Sequence, residues 1–367
     1  MWAAAESRAL LGIRGLVARE WSIPKSHTDI TGYWHVRDEP ATDASETTAQ
    51  PRGNATSFTP IASPVPWLAT RAAIGLGLLD AVAAGPRSRS DLARAVNVSA
   101  AKLNPLLDIL SDCGVMTQTD DAIAVGSVGE QFLEDEHARE EFEGVNADQI
   151  LALGGLAQAL SSGQSAWARY SGQSLRERVA SSSDDYAELV EESEGLVFLM
   201  PALAGLRQWA RYSRIAVSGP ASLVIADGLR TGGVAADVVI VEEREPLAAL
   251  RNENPPAGVE FAESWEGTDA VLLGYACEHR TDEEIIEHLT QLLDVTTAVY
   301  LVEPTDADAL NTHARERALM HVGTVGVAPR DASDLSRLAH AAGWSITSTA
   351  ALGWGVECLE LSPGQHN

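Results

Sequence analysis

Three side chains capable of proton transfer follow short apolar runs in the C-terminal half of the sequence. Glu278 and His279 come directly after DAVLLGYAC, and Glu303 falls at the end of YLVEP. A histidine takes and releases a proton near neutral pH without help. A glutamate does so only where burial raises its pKa. A second acidic pair, Glu242 and Glu243, follows DVVIV and has the chemistry to accept from a diol. Cys277, Glu278, His279 and His288 include metal-ligating types, but their spacing matches no ligand pattern, and no metal is expected. Cys277 also has the chemistry of a nucleophile, whereas Cys113 and Cys358 read as buried, inert thiols. The plainer reading of the acidic and histidine positions is that of solvated residues at strand ends.

The elements that position these groups are legible as a pattern. After Arg214, the apolar runs RIAVSG, DVVIVE, DAVLLGY and AVYLVEP alternate with helical stretches. Such alternation predicts a parallel sheet with helices on both faces. Ligands of open sheets bind outside the carboxyl ends of the strands, where Glu278, His279 and Glu303 fall. The final WSITSTAALGWGVECLELS predicts two more strands, antiparallel at an edge.

Upstream, residues 146–210 read as all-helical. Trp67, Ile74, Leu78 and Val82 form one apolar helical stripe that Gly85 and Pro86 end. A further helix buries Leu103, Leu106, Leu107 and Leu110 and stops at Gly114, with Pro105 inside it. VMTQTDDAIAV then predicts two short strands around Asp120 and Asp121. Helices followed by a two-stranded wing make a winged-helix pattern. Residues 1–22 read as a helix and 36–57 as a polar, mobile linker, with the aromatic ITGYWHVRD between them. The expected organisation is an N-terminal helix and linker over 1–60, a helical winged-helix-like domain over 61–205 and a Rossmann-like α/β domain over 206–367.

Composition narrows the function. The 367 residues carry a net charge of −26, and lysine occurs only at Lys25 and Lys102. A surface this acidic repels phosphate backbones and anionic membranes, so no nucleic-acid or membrane partner is expected. A winged helix normally reads DNA through a basic recognition helix. The candidate helix here holds one lysine and two aspartates, so a dimerisation scaffold is the better reading. No apolar run is long enough to span a bilayer. MWAAAESRALLG carries Glu6 and Arg8 where a signal peptide needs an apolar core, and three sparse cysteines fit a reducing cytoplasm.

From about Trp67 to Leu361 the order of features resembles the plant-type (acetylserotonin-like) O-methyltransferase family. ATRAAIGLGLLDAVAAGPRSRSDLARAVNVSAAKLNPLLDILSDCGVMTQTDDAIAVGSVGEQFL is similar to that family's dimerisation domain. GGLAQALSSGQSAWARYSGQSLRERVA is similar to its linker helices. DEEIIEHL, YLVEP and SDLSRLAHAAGW match later elements in order and spacing. The resemblance implies a class I methyltransferase domain, a homodimer, S-adenosylmethionine as cofactor and a small-molecule substrate of natural-product metabolism.

Position by position, the resemblance implies a cofactor turn at Ser218 and Gly219, ribose contacts at Glu242 or Glu243, and a substrate pocket near Met200, Met320 and His321. The sequence departs from the family in several places. Of the turn's glycines only Gly219 remains, Ala216 replaces the acidic residue, and Pro220 removes an amide donor. The family's histidine–acid order is swapped, or slipped by one residue, as Glu278-His279. Glu303 matches the glutamate that orients the base, and the family's other glutamate is missing near Pro329. The cofactor contact at VEFAESWEG is not recognisable, although Trp265 could cover a flat ring. These departures lead to the expectation of an enzyme that keeps the family's fold, has lost methyl transfer and uses Glu/His acid–base chemistry for cyclisation, elimination or rearrangement. The alternatives are a divergent working methyltransferase and a non-catalytic partner subunit.

Overall fold

The computed structural model describes residues 2–6, 29–34, 63–119, 122–135, 138–139, 141–253, 255–306 and 314–364. The chain divides into two compact units, Met1–Ala62 and Ser63–Asn367. In the first, β1 (Trp2–Glu6) pairs in parallel with β2 (Asp29–Trp34), Trp2 lying opposite Asp29. The helical reading of 1–22 is therefore wrong over Trp2–Glu6. Its alanines fit either conformation, and pairing with DITGYW decides. Residues 7–22, His35 and the linker lie outside the described residues.

The second unit is built on a seven-stranded sheet in the order β11-β12-β10-β9-β6-β7-β8. Its strands are β6 (Arg214–Ser218), β7 (Asp237–Val241), β8 (Glu260–Ala262), β9 (Ala270–Gly274), β10 (Val299–Pro304), β11 (Trp344–Gly353) and β12 (Val356–Pro363). β6 to β10 run in parallel, and β12 is antiparallel to both its neighbours. The two last strands do pair antiparallel, but β12 inserts between β10 and β11, leaving β11 at the edge. The chain enters at β6, winds outward through β7 to β8, and returns to β9 on the other side of β6. That reversal opens a crevice at the carboxyl ends of β6 and β9.

Alternate residues of each strand enter different cores, as a period of two requires. Ala216, Val271, Leu273, Val299 and Leu301 pack with Ile285, Leu289 and Leu338 on one side. Ile215, Val217, Leu272, Tyr300 and Val302 pack with Ile225 and Leu229 on the other. All five β9 residues are buried, which explains why the run is apolar without alternation.

Helices Val65–Gly75, Leu78–Ala83, Arg89–Ala95 and Ala100–Asp112 enclose their own core around Leu78, Leu92, Leu103, Leu107 and Ile123. Beside them lie β4 (Met116–Thr119) and β5 (Ala122–Val125), as the sequence implies. They are joined by β3 (Arg87–Ser88), two residues too short to show a period. The helices from Gly144 to Ser193 belong by packing with the sheet. Val145, Trp167 and Leu189 share one core with Ile240, Leu247 and Leu250.

Candidate active site

β9 ends at Gly274, and Tyr275 turns the chain out of the sheet with a φ of 55°, its amide donating to the Val302 carbonyl at 2.9 Å. Thr281 then caps the Asp282–Leu292 helix through a reciprocal pair of bonds with Glu284. Glu278 and His279 sit in the short loop between these fixed points. Arg330, only 9% exposed, holds that loop from the side. It donates to Asp282 Oδ1 at 2.9 Å, to the Cys277 carbonyl at 2.9 Å and to the Arg280 carbonyl at 2.7 Å.

The loop faces a cavity of about 660 Å³, in whose wall Glu278, His279, Glu303, Met320 and His321 come together. Glu303, at the end of β10, is 2% exposed and accepts from the Cys277 amide at 2.9 Å. Burial pushes its carboxyl up to about 8, the Cys277 amide opposing and the charge of Glu278 adding to the rise. Burial also raises Glu278, whose side chain is 26% exposed, against the opposing charge of Arg317, 4.0 Å away. His279 moves the other way. Burial drives it down to about 3, helped by His321, Arg280 and Arg317. His321 is lowered by burial as well, with its Nδ1 2.8 Å from the Val327 carbonyl.

Met200 is not part of this wall. It is 4% exposed and packs in the core behind β6, where a Cβ on Gly228 would collide with its side chain. A methionine at helical spacing served packing here. Cys277 is buried, and burial holds its thiol well above the usual range, which leaves little thiolate. Among the described residues, no group of three or more His, Cys, Asp and Glu is placed to hold a metal ion. Trp265 packs on the core and lies 6.4 Å from the His288 ring, centroid to centroid.

The turn after β6 carries the other expected residues. Gly219 has a φ of 100°, and a Cβ there would run into the Gly274 carbonyl, so glycine is required by the close approach of two strand ends. Glu242 Oε1 accepts from Ser218 Oγ at 2.7 Å and from the Gly219 amide at 2.5 Å. The Ala221 amide donates to Gly274 at 3.3 Å, and the Ser222 amide to Gly219 at 3.0 Å. Pro220 has no amide hydrogen, and its carbonyl accepts from Ser193 Oγ at 3.1 Å. Glu243 pairs with Arg176 at 2.5 Å. None of Ser218, Gly219, Glu242 and Glu243 lines the 660 Å³ cavity.

Several wall residues had no signal in the sequence. Glu192 sits in an acidic helical run that reads as a solvated face, and Arg317 in a polar helix, yet both line the cavity. Phe198 and Trp354, 55% and 53% exposed, meet edge to face at 5.6 Å in the same wall. They are far apart in sequence, and only the fold joins them.

No protein-family model matches the chain, and neither does any curated protein. Solved structures do. An O-methyltransferase (NcsB1) from neocarzinostatin biosynthesis, in complex with S-adenosyl-L-homocysteine and 1,4-dihydroxy-2-naphthoic acid, is similar over 83% of this chain and 97% of its own, with 21% identity and a TM-score of 0.62. The mitomycin 7-O-methyltransferase MmcR is similar over 82% of this chain and 94% of its own, with 16% identity and a TM-score of 0.58. The N,N-8-amino-8-demethyl-D-riboflavin dimethyltransferase (RosA) from Streptomyces davawensis is similar over 81% and 95%, with 19% identity and a TM-score of 0.54. At such identities the shared property is architecture. The chain has the Rossmann-like class I methyltransferase fold.

Proposed function

We propose that the chain is an enzyme of the O-methyltransferase family that acts on a small molecule of natural-product metabolism by Glu/His acid–base chemistry. Cyclisation, elimination and rearrangement are the reactions in reach, without methyl transfer from S-adenosylmethionine. The observation that carries this reading is the opposite tuning of Glu303 and His279 on one cavity wall. At neutral pH His279 is unprotonated and Glu303 holds a proton to give; a histidine held this low is a weak base, so it accepts only a proton that is already acidic. His279 takes a proton from an acidic C–H or O–H of the substrate. The electron pair left behind forms the new bond, and the departing or newly anionic atom takes the Glu303 proton. No oxidant or reductant is needed. A cavity of about 660 Å³ has the size of small-molecule sites.

The turn after β6 supports the absence of the sulfonium cofactor. Such a ligand needs free backbone amides and a free diol acceptor at that turn. The amides of Gly219, Ala221 and Ser222 are committed to protein acceptors, and Oε1 of Glu242 accepts twice from the turn itself. These commitments weigh against a seat for S-adenosylmethionine at this turn.

A second reading, a divergent working methyltransferase, is favoured by the fold's occurrence in NcsB1 with S-adenosyl-L-homocysteine. We further read residues 61–205 as a winged-helix-like, homodimer-forming part, supported by the exposed Val65, Leu68 and Leu76, with 1–60 and 206–367 as the flanking parts. Three free cysteines support a cytoplasmic location. Among the described residues no helix is long and apolar enough to cross a membrane.

The test is incubation of the purified chain with a library of aromatic natural-product intermediates, with and without S-adenosylmethionine, read by mass spectrometry. The reading expects products of unchanged or water-lost mass that need no cofactor and disappear in His279→Ala and Glu303→Gln. Products heavier by one methylene that require the cofactor favour the second reading. No product under either condition favours a non-catalytic partner subunit.

A further inference from the structure

We infer that the cavity takes a planar-ring substrate carrying an alkylammonium group, the ammonium near Glu192 and Glu278 and the ring against the Phe198–Trp354 pair. This names the substrate class of the proposed acid–base site and rests on that reading only for the location of the site.

The cavity wall is acidic in a way its basic residues do not offset. Glu192 and Glu278 line it, Asp306 and Asp331 add the same sign, and Glu303, which holds its proton at neutral pH, adds none. Of the arginines in the wall, Arg330 is committed to Asp282 and to the Cys277 and Arg280 carbonyls. Arg317 is 63% exposed and stands 4.0 Å from Glu278. The two histidines carry no compensating charge, since burial keeps both His279 and His321 neutral.

The acids also sense one another. The charge of Glu192 raises the Glu278 carboxyl, and Arg317 opposes the rise on both. Like charges close together raise each other's free energy, and a cation near both relieves it. Arg317, on the helix Ala314–Val325, is the exposed cation nearest this pair, 4.0 Å from Glu278. A ligand ammonium reaches the pair from within. Glu192 is held for the purpose by Asn146, whose Nδ2 donates to Glu192 Oε1 at 3.1 Å.

The rest of the wall suits a flat ring. Phe198 and Trp354 cross at 78°, presenting apolar faces and edges on the same cavity, and Leu196 and Val356 extend that surface. A charged amine beside aromatic rings gains from both the carboxylates and the ring quadrupole. A carboxylate or phosphate substrate meets repulsion from Glu192 and Glu278, offset only by Arg317.

Three probes of one shape and different charge decide the matter: tryptamine (cationic), tryptophol (neutral) and indole-3-propionate (anionic), titrated calorimetrically into the full chain at pH 7. The inference expects tryptamine to bind about 10-fold tighter than tryptophol, with indole-3-propionate weakest. In Glu192→Gln the tryptamine preference falls to about 2-fold or less while tryptophol binding is unchanged, which also shows that the variant is folded. Equal or tighter binding of tryptophol or indole-3-propionate overturns the inference. So does a preference that survives Glu192→Gln and Glu278→Gln together, or no tryptamine binding at millimolar concentration. A cation preference without turnover of any substrate leaves this inference standing and removes the acid–base reading. Turnover of neutral substrates without a cation preference does the reverse.

Discussion

The Oε1 atom of Glu242 lies 2.5 Å from the amide nitrogen of Gly219, so the carboxylate at the end of β7 closes the turn at the end of β6. The same oxygen accepts from Ser218 Oγ at 2.7 Å. Glu242→Ala leaves a turn amide and a hydroxyl that is 3% exposed without their acceptor. Stability is expected to fall by about 1–3 kcal/mol, the cost of unsatisfied buried donors. Urea unfolding checks this, and an unchanged midpoint speaks against a closing role for Glu242.

Gly219→Ala is expected to cost more. Its φ of 100° strains any residue with a Cβ, and the added carbon meets the Gly274 carbonyl. Backbone strain alone is about 1–3 kcal/mol, before β6 and β9 are forced apart. Loss of soluble protein or a sharply lowered unfolding midpoint is the expected outcome. Wild-type stability excludes the close approach.

Glu303 makes stability depend on pH. Its folded-state pKa, pushed up to about 8 from an ordinary 4.5, means that the folded chain holds a proton the unfolded chain has lost. Between these values stability falls as pH rises. Glu303→Gln keeps the shape and removes the titration. Thermal unfolding of the variant and the wild type is expected to differ little near pH 5, with the variant the more stable at pH 8 to 9. Parallel curves across that range contradict the buried, protonated Glu303.

The pH profile of catalysis follows from the same pair. His279, driven down to about 3, stays unprotonated across the accessible range, so no acidic limb is expected above pH 5. Loss of the Glu303 proton gives an alkaline limb near pH 8. Glu303→Gln is expected to lower kcat by about 10²- to 10⁴-fold, the usual contribution of a positioned acid, and to remove that limb. A rate that rises with pH through 8 rules out Glu303 as the proton donor.

Arg330 is the strut of the loop that carries Glu278 and His279. Arg330→Met removes the donor to the Cys277 and Arg280 carbonyls and one of the two arginines on Asp282, which keeps Arg337 at 3.3 Å, and the unsatisfied acceptors cost about 1–3 kcal/mol. Arg330→Lys keeps the charge but not the fork, and is expected to retain the fold while lowering kcat more than it changes KM. Full activity in Arg330→Lys shows that the loop is held without it.

The sheet was legible because its strands are buried. DAVLLGY and AVYLVEP are apolar on both faces, and their ends locate Glu278, His279 and Glu303 beside one another. Trp2–Glu6 misled because alanine carries no preference that outweighs pairing. Met200 misled because helical spacing does not say which face meets Gly228 and which meets a cavity. Glu192, Phe198, Arg317 and Trp354 reach the wall from segments far apart, so no local pattern marks them. The sequence placed Glu242 at a strand end, but its turn inward to Gly219 is a side-chain rotamer, which spacing does not encode.

The most direct test of the account is calorimetric titration of the purified chain with S-adenosylmethionine, paired with the thermal shift that any ligand of the native state must produce. With the amides of Gly219, Ala221 and Ser222 and Oε1 of Glu242 already engaged, no saturable heat and no shift are expected at millimolar cofactor. Saturable binding at micromolar cofactor, accompanied by a raised unfolding temperature, would contradict it and return the chain to the methyltransferases.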